Sequence, residues 1–135
     1  MGQPEVILLD THVVLWLAFD QTKISGKARM AIDEARRSGE GLAISDITLL
    51  EIATLERKRR LTLHSTLESF LTEVEARFVV LPISGRACVR AMGLPAAYPN
   101  DPADRVIAAT ALVEALPLVT ADQAIHRSKV VATIW

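Results

Sequence analysis

The sequence has few of the features expected of a secreted or membrane-bound protein. Its single cysteine, Cys88, cannot form an internal disulfide. The first basic residue is Lys23, so no basic segment precedes an apolar stretch as it does in a secretory signal. The longest apolar run, residues 13–19, is far shorter than the roughly 20 residues needed to span a bilayer. We therefore expect a cytoplasmic protein without a membrane span.

Aromatic residues are also scarce, at 4%, although apolar residues make up 50% of the chain. A composition dominated by Ala, Val, Leu and Ile suits helices packed closely on a sheet better than a β-sandwich with an aromatic core. A chain of 135 residues can bury enough surface to fold without a metal or a disulfide. We expect one domain that covers residues 1–135.

No strong charge of either sign is present, because the formal net charge is −1. A nucleic-acid partner would thus have to be held by a local basic patch. The one basic cluster is "RKRR", which comprises Arg57, Lys58, Arg59 and Arg60. Its cations could stabilise the negative end of a helix in solvent, or they could contact phosphate. The two roles are compatible.

The order of hydrophobic segments predicts strands alternating with helices. Strands are expected at residues 5–10, 41–45, 78–83, 117–120 and 130–135, with helices over 11–19, 25–39, 46–59, 65–77, 84–92, 101–116 and 121–129. The segment "GLPAAYPNDP", residues 93–102, is the most loop-like. This alternation predicts an α/β fold with a mainly parallel sheet and helices on both faces.

Two aspartates are predicted to reach the same edge of this sheet. Asp10 ends the first strand, and Asp122 follows the strand "PLVT" by two residues. Ligands of open parallel sheets bind outside the carboxyl ends of the strands. Asp10 and Asp122 are therefore candidate site residues.

Two further acids lie on apolar helix faces. Glu51 shares a stripe with Ile47, and Asp104 shares one with Ile107. Simpler explanations exist: Glu51 could extend to solvent, and Asp104 could complement the positive end of its helix. Asp101 is predicted to cap the same helix before Pro102, which gives it a structural role of its own.

Four converging carboxylates would need compensation. Two unit charges 4 Å apart repel by about 4 kcal/mol at an effective dielectric constant near 20. Some of the acids must then be protonated, or divalent cations must neutralise them. Oxygen ligands without a cysteine or histidine pair favour Mg²⁺ or Mn²⁺ over Zn²⁺.

The segments "LLDTHVVLWL", "ISDITLLEIA", "NDPADRVIAATAL" and "LVTAD" closely resemble, in order, the acidic motifs of the PIN-domain family, and of its VapC-type toxins in particular. The resemblance covers essentially the whole chain. It implies a three-layer α/β fold with four to five strands and a metal-dependent ribonuclease site formed by Asp10, Glu51, Asp104 and Asp122.

The resemblance also implies supporting roles and partners. The hydroxyl groups map onto Thr11, Ser45 and Thr120, although Ser45 and Thr11 also suit the starts of helices, and Arg105 could contact phosphate or brace a carboxylate. Many family members carry a histidine just before the "DPxDR" motif, where this chain has "YPN". A homodimer and a small antitoxin protein are the implied protein partners.

These features predict hydrolysis of RNA by one or two Mg²⁺ or Mn²⁺ ions, leaving 5′-phosphate and 3′-hydroxyl ends, with residues 57–60 and Arg105 on the RNA backbone. The alternatives are a housekeeping RNA-processing nuclease, a binding module without catalysis, and a phosphatase or phosphoryl acceptor. The last is disfavoured because the haloacid-dehalogenase pattern requires an aspartate where His12 stands.

Overall fold

The computed structural model describes residues 6–39 and 41–135. Within them the chain forms five strands, seven α-helices and a short 3₁₀ helix, Gln21–Lys23. The strands are β1 (Ile7–Leu9), β2 (Leu42–Ser45), β3 (Val79–Leu81), β4 (Leu118–Val119) and β5 (Thr133–Ile134). The helices are α1 (Thr11–Phe19), α2 (Gly26–Ser38), α3 (Asp46–Arg57), α4 (Leu67–Arg77), α5 (Gly85–Met92), α6 (Pro102–Glu114) and α7 (Gln123–Ser128).

The described strands form one parallel sheet in the order β3-β2-β1-β4-β5. Leu8 of the central strand pairs with Ala43 of β2 on one side and with Leu118 of β4 on the other. The carboxyl ends of β1, β2 and β4 therefore lie side by side, as expected for a site at this edge. The predicted parallel α/β sheet is confirmed, and the part of the first predicted strand at residue 5 lies outside the described residues.

Two apolar clusters flank the sheet because alternate side chains of a strand point to opposite faces. Ile7 and Leu9 pack into one cluster, with buried residues of α1, α2, α3 and α4. Leu8 points into the other, with Ile107 of α6 and Ile125 of α7. The result is a three-layer arrangement of helices, sheet and helices.

Most predicted helix ends coincide with caps. Ser25 caps α2, and Gly39 ends it with φ of 82°, a left-handed conformation that suits glycine. Asp101 caps α6, with Pro102 at its first position. One detail was wrong: "STLE" has a capping-box spacing from Ser65, but Thr66 is the cap of α4, because its hydroxyl accepts the N–H of Ser69 at 3.1 Å. In the described residues no helix is both long and apolar enough to cross a membrane.

Candidate active site

Asp10 lies at the end of the central strand and is only 4% exposed. It is also the N-cap of α1, since its Oδ1 accepts the N–H of Thr11 at 2.9 Å. Its Oδ2 accepts the hydroxyl of Thr120 at 2.7 Å. Because both oxygens are hydrogen-bonded, the cost of burying this carboxylate is offset and its orientation is fixed.

The turn after β4 brings Asp122 to the same place. The Thr120 hydroxyl that binds Asp10 also accepts the N–H of Asp122 at 3.1 Å. Asp122 then caps α7, and its Oδ1 accepts the N–H groups of Ala124 and Ile125 at 2.8 and 3.2 Å. One buried hydroxyl therefore connects the two aspartates that the sequence assigns to the edge of the sheet.

Glu51 on α3 points toward the start of α1. Its Oε1 accepts the hydroxyl of Thr11, which lies 3.0 Å from the hydroxyl of Thr48. Since the Thr11 proton is given to Glu51, Thr48 is the donor of the second bond. Burial raises the pKa of Glu51, and the negative charges of Asp10 and Asp101 raise it further against the effect of the Thr11 hydrogen bond.

Asp104 completes the acidic group from the first turn of α6. Burial raises its pKa to about 7, and the charges of Asp10, Asp101, Glu51 and Asp122 contribute in the same direction. Four other carboxylates thus act on this one from three different elements and a turn. Asp101 lends its charge while its Oδ1 caps α6 through the N–H groups of Ala103 and Asp104, at 2.9 and 3.2 Å.

The charge of the acidic group is not balanced by nearby basic residues. Among residues 6–39 and 41–135, the ion pairs that involve arginine are Arg37–Glu34 and Arg77–Glu73, both exposed and remote from these acids in sequence. His12 has its Nδ1 3.7 Å from Oδ2 of Asp10. Burial lowers the pKa of His12, despite the opposing charges of Asp10 and Asp122, which favours the neutral ring.

The acidic group provides the chemistry of a site for a hard cation but not a finished coordination set. Its donors are carboxylate and hydroxyl oxygens, which Mg²⁺ and Mn²⁺ prefer, and it carries uncompensated negative charge. In the part of the chain that the structure describes, no three Asp, Glu, His or Cys side chains are placed so that they could hold a metal ion. Asp10, Glu51, Asp104 and Asp122 remain the residues whose chemistry fits such an ion.

Comparison with known proteins agrees with this architecture. A profile of the PIN domain matches residues 7–130. The chain belongs to the PIN-domain family. This PIN domain is 33% identical over 131 residues to ribonuclease VapC22 of Mycobacterium tuberculosis (strain ATCC 25618 / H37Rv), and the match covers 96% of the chain and 98% of that protein. The predicted resemblance to VapC-type members of the family is confirmed.

Solved structures of toxin–antitoxin complexes share the fold of this PIN domain. A chain of DNA-bound VapBC from Salmonella typhimurium superimposes with a TM-score of 0.67 at 23% identity, covering 94% of this chain and 95% of that one. A chain of a toxin–antitoxin complex from Klebsiella pneumoniae gives a TM-score of 0.57 at 26% identity, with 87% of each chain covered. The predicted fold class is thereby confirmed.

Arg105 has a different role in this PIN domain from either role suggested by the sequence. Its Nη1 donates to the carbonyl oxygens of Ala91 and Leu94 at 3.3 and 3.4 Å, and its Nη2 to those of Pro95 and Tyr98 at 3.5 and 3.4 Å. Both terminal nitrogens are therefore occupied by backbone carbonyls of the loop before α6. The expectation that Arg105 contacts phosphate or braces a carboxylate is wrong, because its guanidinium braces this loop.

Tyr98 stands in the "YPN" segment, where many family members have a histidine. Its side chain is buried, and its hydroxyl donates to the backbone carbonyl of Asp104 at 3.3 Å. Burial raises the pKa of Tyr98, and the charges of Asp10, Asp104 and Asp122 raise it further. The ring therefore lies within the electrostatic reach of the acidic group as a neutral wall.

The remaining predicted residues fall into two groups. Ser45 is buried and caps α3 by accepting the N–H of Ile47 at 3.2 Å, which supports its structural explanation. Residues 57–60 are exposed at the end of α3, the helix that carries Glu51. Their contact with RNA stays a prediction. A cavity of about 620 Å³ between α1 and α4, lined by Val14, Leu17, Phe70 and Val74 among others, contains none of the predicted site residues.

Sequence reasoning missed Thr48 and the two histidines beside the acidic group. Thr48 is buried one turn before Glu51, a spacing that could have indicated it. The Nε2 of His12 accepts the N–H of Ala121 at 2.9 Å, and the Nε2 of His126 lies 2.6 Å from the carbonyl oxygen of Thr120. The His12 contact joins residues 109 positions apart, so no local pattern could have revealed it.

Proposed function

We propose that this chain is a metal-dependent endoribonuclease and the toxin of a toxin–antitoxin pair. The single observation that carries the proposal is the environment of Asp104, whose pKa is raised to about 7 by burial and by four other carboxylates. Clusters of perturbed acids mark functional sites, because a fold maintains such repulsion only where something compensates it. The similarity to ribonuclease VapC22 supports RNA as the substrate.

The four acids of the proposal, Asp10, Glu51, Asp104 and Asp122, would hold Mg²⁺ or Mn²⁺. The ion supplies a bound water of lowered pKa and positive charge beside the scissile phosphate. The chain supplies the orientation of the ligands. Thr120 fixes Asp10 relative to the Asp122 turn, and Thr11 fixes Glu51 relative to Asp10.

Charge repulsion gives the protein a reason to bind the cation. With no ion, ionised Asp104 faces the charges of Asp10, Glu51 and Asp122 in a half-buried position. A divalent ion converts each of these repulsions into an attraction, so binding and deprotonation of Asp104 favour one another.

RNA would be held near the basic end of α3. Residues 57–60 begin six positions after Glu51, a distance of about 9 Å along a helix at 1.5 Å per residue. An RNA backbone passing the acidic group could therefore reach these exposed cations. Binding through them weakens as salt rises, because bound counterions are released from the RNA.

The proposal includes an antitoxin partner, a homodimer and a cytoplasmic location. The related structures include toxin–antitoxin complexes from Klebsiella pneumoniae, Salmonella typhimurium and Haemophilus influenzae, which supports a partner of this kind here. A negatively charged site of this type would attract an arginine or lysine of an inhibitory segment.

Cleavage of a fluorescently labelled structured RNA in a Mn²⁺ titration tests the proposal. We expect cleavage that requires Mn²⁺ or Mg²⁺ and stops with EDTA, and a loss of about a hundredfold or more in Asp10→Asn. Glu75→Gln, an exposed acid on α4, is the matched control and should cleave like the parent. RNA binding without cleavage at any divalent-ion concentration would instead identify a binding module.

A further inference from the structure

The turn formed by residues 120–122 is held by side chains at three successive backbone groups. The carbonyl oxygen of Thr120 binds Nε2 of His126 at 2.6 Å, and the N–H of Ala121 donates to Nε2 of His12 at 2.9 Å. The N–H of Asp122 donates to the Thr120 hydroxyl at 3.1 Å. Two of the three holding side chains are histidines that have no part in the proposed chemistry.

The contact with Ala121 determines the tautomer of His12. Because Ala121 donates a backbone proton, Nε2 must carry a lone pair, and the ring proton of the neutral imidazole lies on Nδ1. That nitrogen is 3.7 Å from Oδ2 of Asp10, beyond direct hydrogen-bonding distance but close enough for electrostatic contact. One edge of the ring thus faces the Asp10 carboxylate, while Nε2 holds the turn that carries Asp122.

The His12 ring is itself fixed by its neighbours. It meets the ring of Trp16, one turn further along α1, edge-on at 4.9 Å between centroids. Trp16 in turn contacts Trp135, beside β5, at 5.8 Å. A ring held on α1 in this way acts as a spacer between the β1–α1 junction and the β4–α7 turn.

We propose that His12 is a positioning residue that sets the separation of Asp10 and Asp122 by holding the N–H of Ala121. The inference rests on the proposed function for its consequence, which is that loss of this contact weakens binding of the divalent ion. Residues that orient metal ligands in this way typically contribute ten- to hundredfold to metal affinity.

Three substitutions separate the contacts of His12. His12→Phe keeps an aromatic ring beside Trp16 but has no acceptor for Ala121. His12→Asn places an amide near the position of Nδ1, too short to reach Ala121, whereas the amide oxygen of His12→Gln reaches about as far as Nε2 and can accept its N–H. His64→Gln, at an exposed position between α3 and α4, is the matched control.

Two measurements are made on each folded variant. Amide hydrogen exchange in the metal-free protein compares Ala121 with Leu8, whose N–H lies in the central sheet. Calorimetry gives the Mn²⁺ dissociation constant. We expect exchange at Ala121 to be roughly fivefold faster in His12→Phe and His12→Asn, without a matching change at Leu8. Their Mn²⁺ dissociation constants should rise about tenfold or more, and His12→Gln should restore both values to within about threefold.

The results can overturn the inference independently of the proposed function. A folded His12→Phe variant with parental Mn²⁺ affinity, or a His12→Gln variant as weak as His12→Phe, would contradict it. Equal acceleration of exchange at Leu8 and Ala121 would show a general loss of stability instead of a local role. If the parent binds no Mn²⁺, the proposed function fails, and unchanged exchange at Ala121 in His12→Phe would then still overturn the positioning role.

Discussion

Replacing Asp104 by asparagine should stabilise the metal-free protein at neutral and alkaline pH while it abolishes activity. Asparagine has nearly the same shape as aspartate and retains the backbone carbonyl that accepts the Tyr98 hydroxyl. It removes the negative charge that the structure makes unfavourable. A site evolved to bind a cation should show this conflict between stability and function.

The magnitude and the pH window follow from the pKa of Asp104, which rises from 3.8 to about 7 on folding. Below pH 4 the carboxyl is protonated in both states and contributes no penalty. Between pH 4 and pH 7 the folded state retains a proton that the unfolded state has lost, so stability falls as pH rises. Above pH 7 the penalty is complete. The full shift corresponds to about 4 kcal/mol, which solvent screening of this half-buried group should reduce to about 1–2 kcal/mol.

Urea unfolding in EDTA, followed by tryptophan fluorescence, measures this effect. We expect Asp104→Asn to exceed the parent by about 1–2 kcal/mol at pH 8 and by much less at pH 4.5. Saturating Mn²⁺ should remove the advantage, because the ion stabilises the parent more than the variant. Glu75→Gln should show no such pH-dependent gain. A variant no more stable than the parent at pH 8 in EDTA would refute the reasoning.

Three further predictions follow from the hydrogen bonds and the charges. Thr120→Val removes the buried hydroxyl shared by Asp10 and Asp122, so we expect a loss of about 1–3 kcal/mol in urea unfolding and weaker Mn²⁺ binding in calorimetry, and parental values would contradict the role of this hydroxyl. Arg105→Met should lower the free energy of unfolding by about 2 kcal/mol and leave RNA affinity unchanged in filter binding. A large loss of RNA affinity in a folded variant would restore a phosphate role for Arg105. Alanine at residues 57–60 should reduce the salt dependence of RNA binding by about 0.7 log units per lost phosphate contact, whereas an unchanged slope would exclude these cations from the interface.

The sequence was most informative where local physics determines the structure. The start of α6 was predictable because Asp101 and Pro102 form a strong N-terminal signal. The end of α2 was predictable because Gly39 can adopt a positive φ. At α4 two neighbouring hydroxyl residues competed for the cap, and spacing alone could not show that Thr66 is used in place of Ser65.

The acidic residues were recognisable because they interrupt apolar segments, but their partners were not. Asp10 and Thr120 are joined across 110 positions of sequence, which no periodicity encodes. Arg105 was misassigned for a related reason, since a cation beside an acidic motif looks like a phosphate ligand until the fold places carbonyl groups around it. Long-range hydrogen bonds therefore account for most of what sequence reasoning missed at the site.

The central claim is that Asp10, Glu51, Asp104 and Asp122 share a divalent ion. An anomalous difference map from crystals grown with Mn²⁺ tests it most directly. The account predicts a strong peak at bonding distance from Asp10 and at least one of the other three carboxylates, and no such peak in Asp10→Asn crystals grown in the same way. Four carboxylates that point to separate solvent regions, with no Mn²⁺ between them, would contradict it.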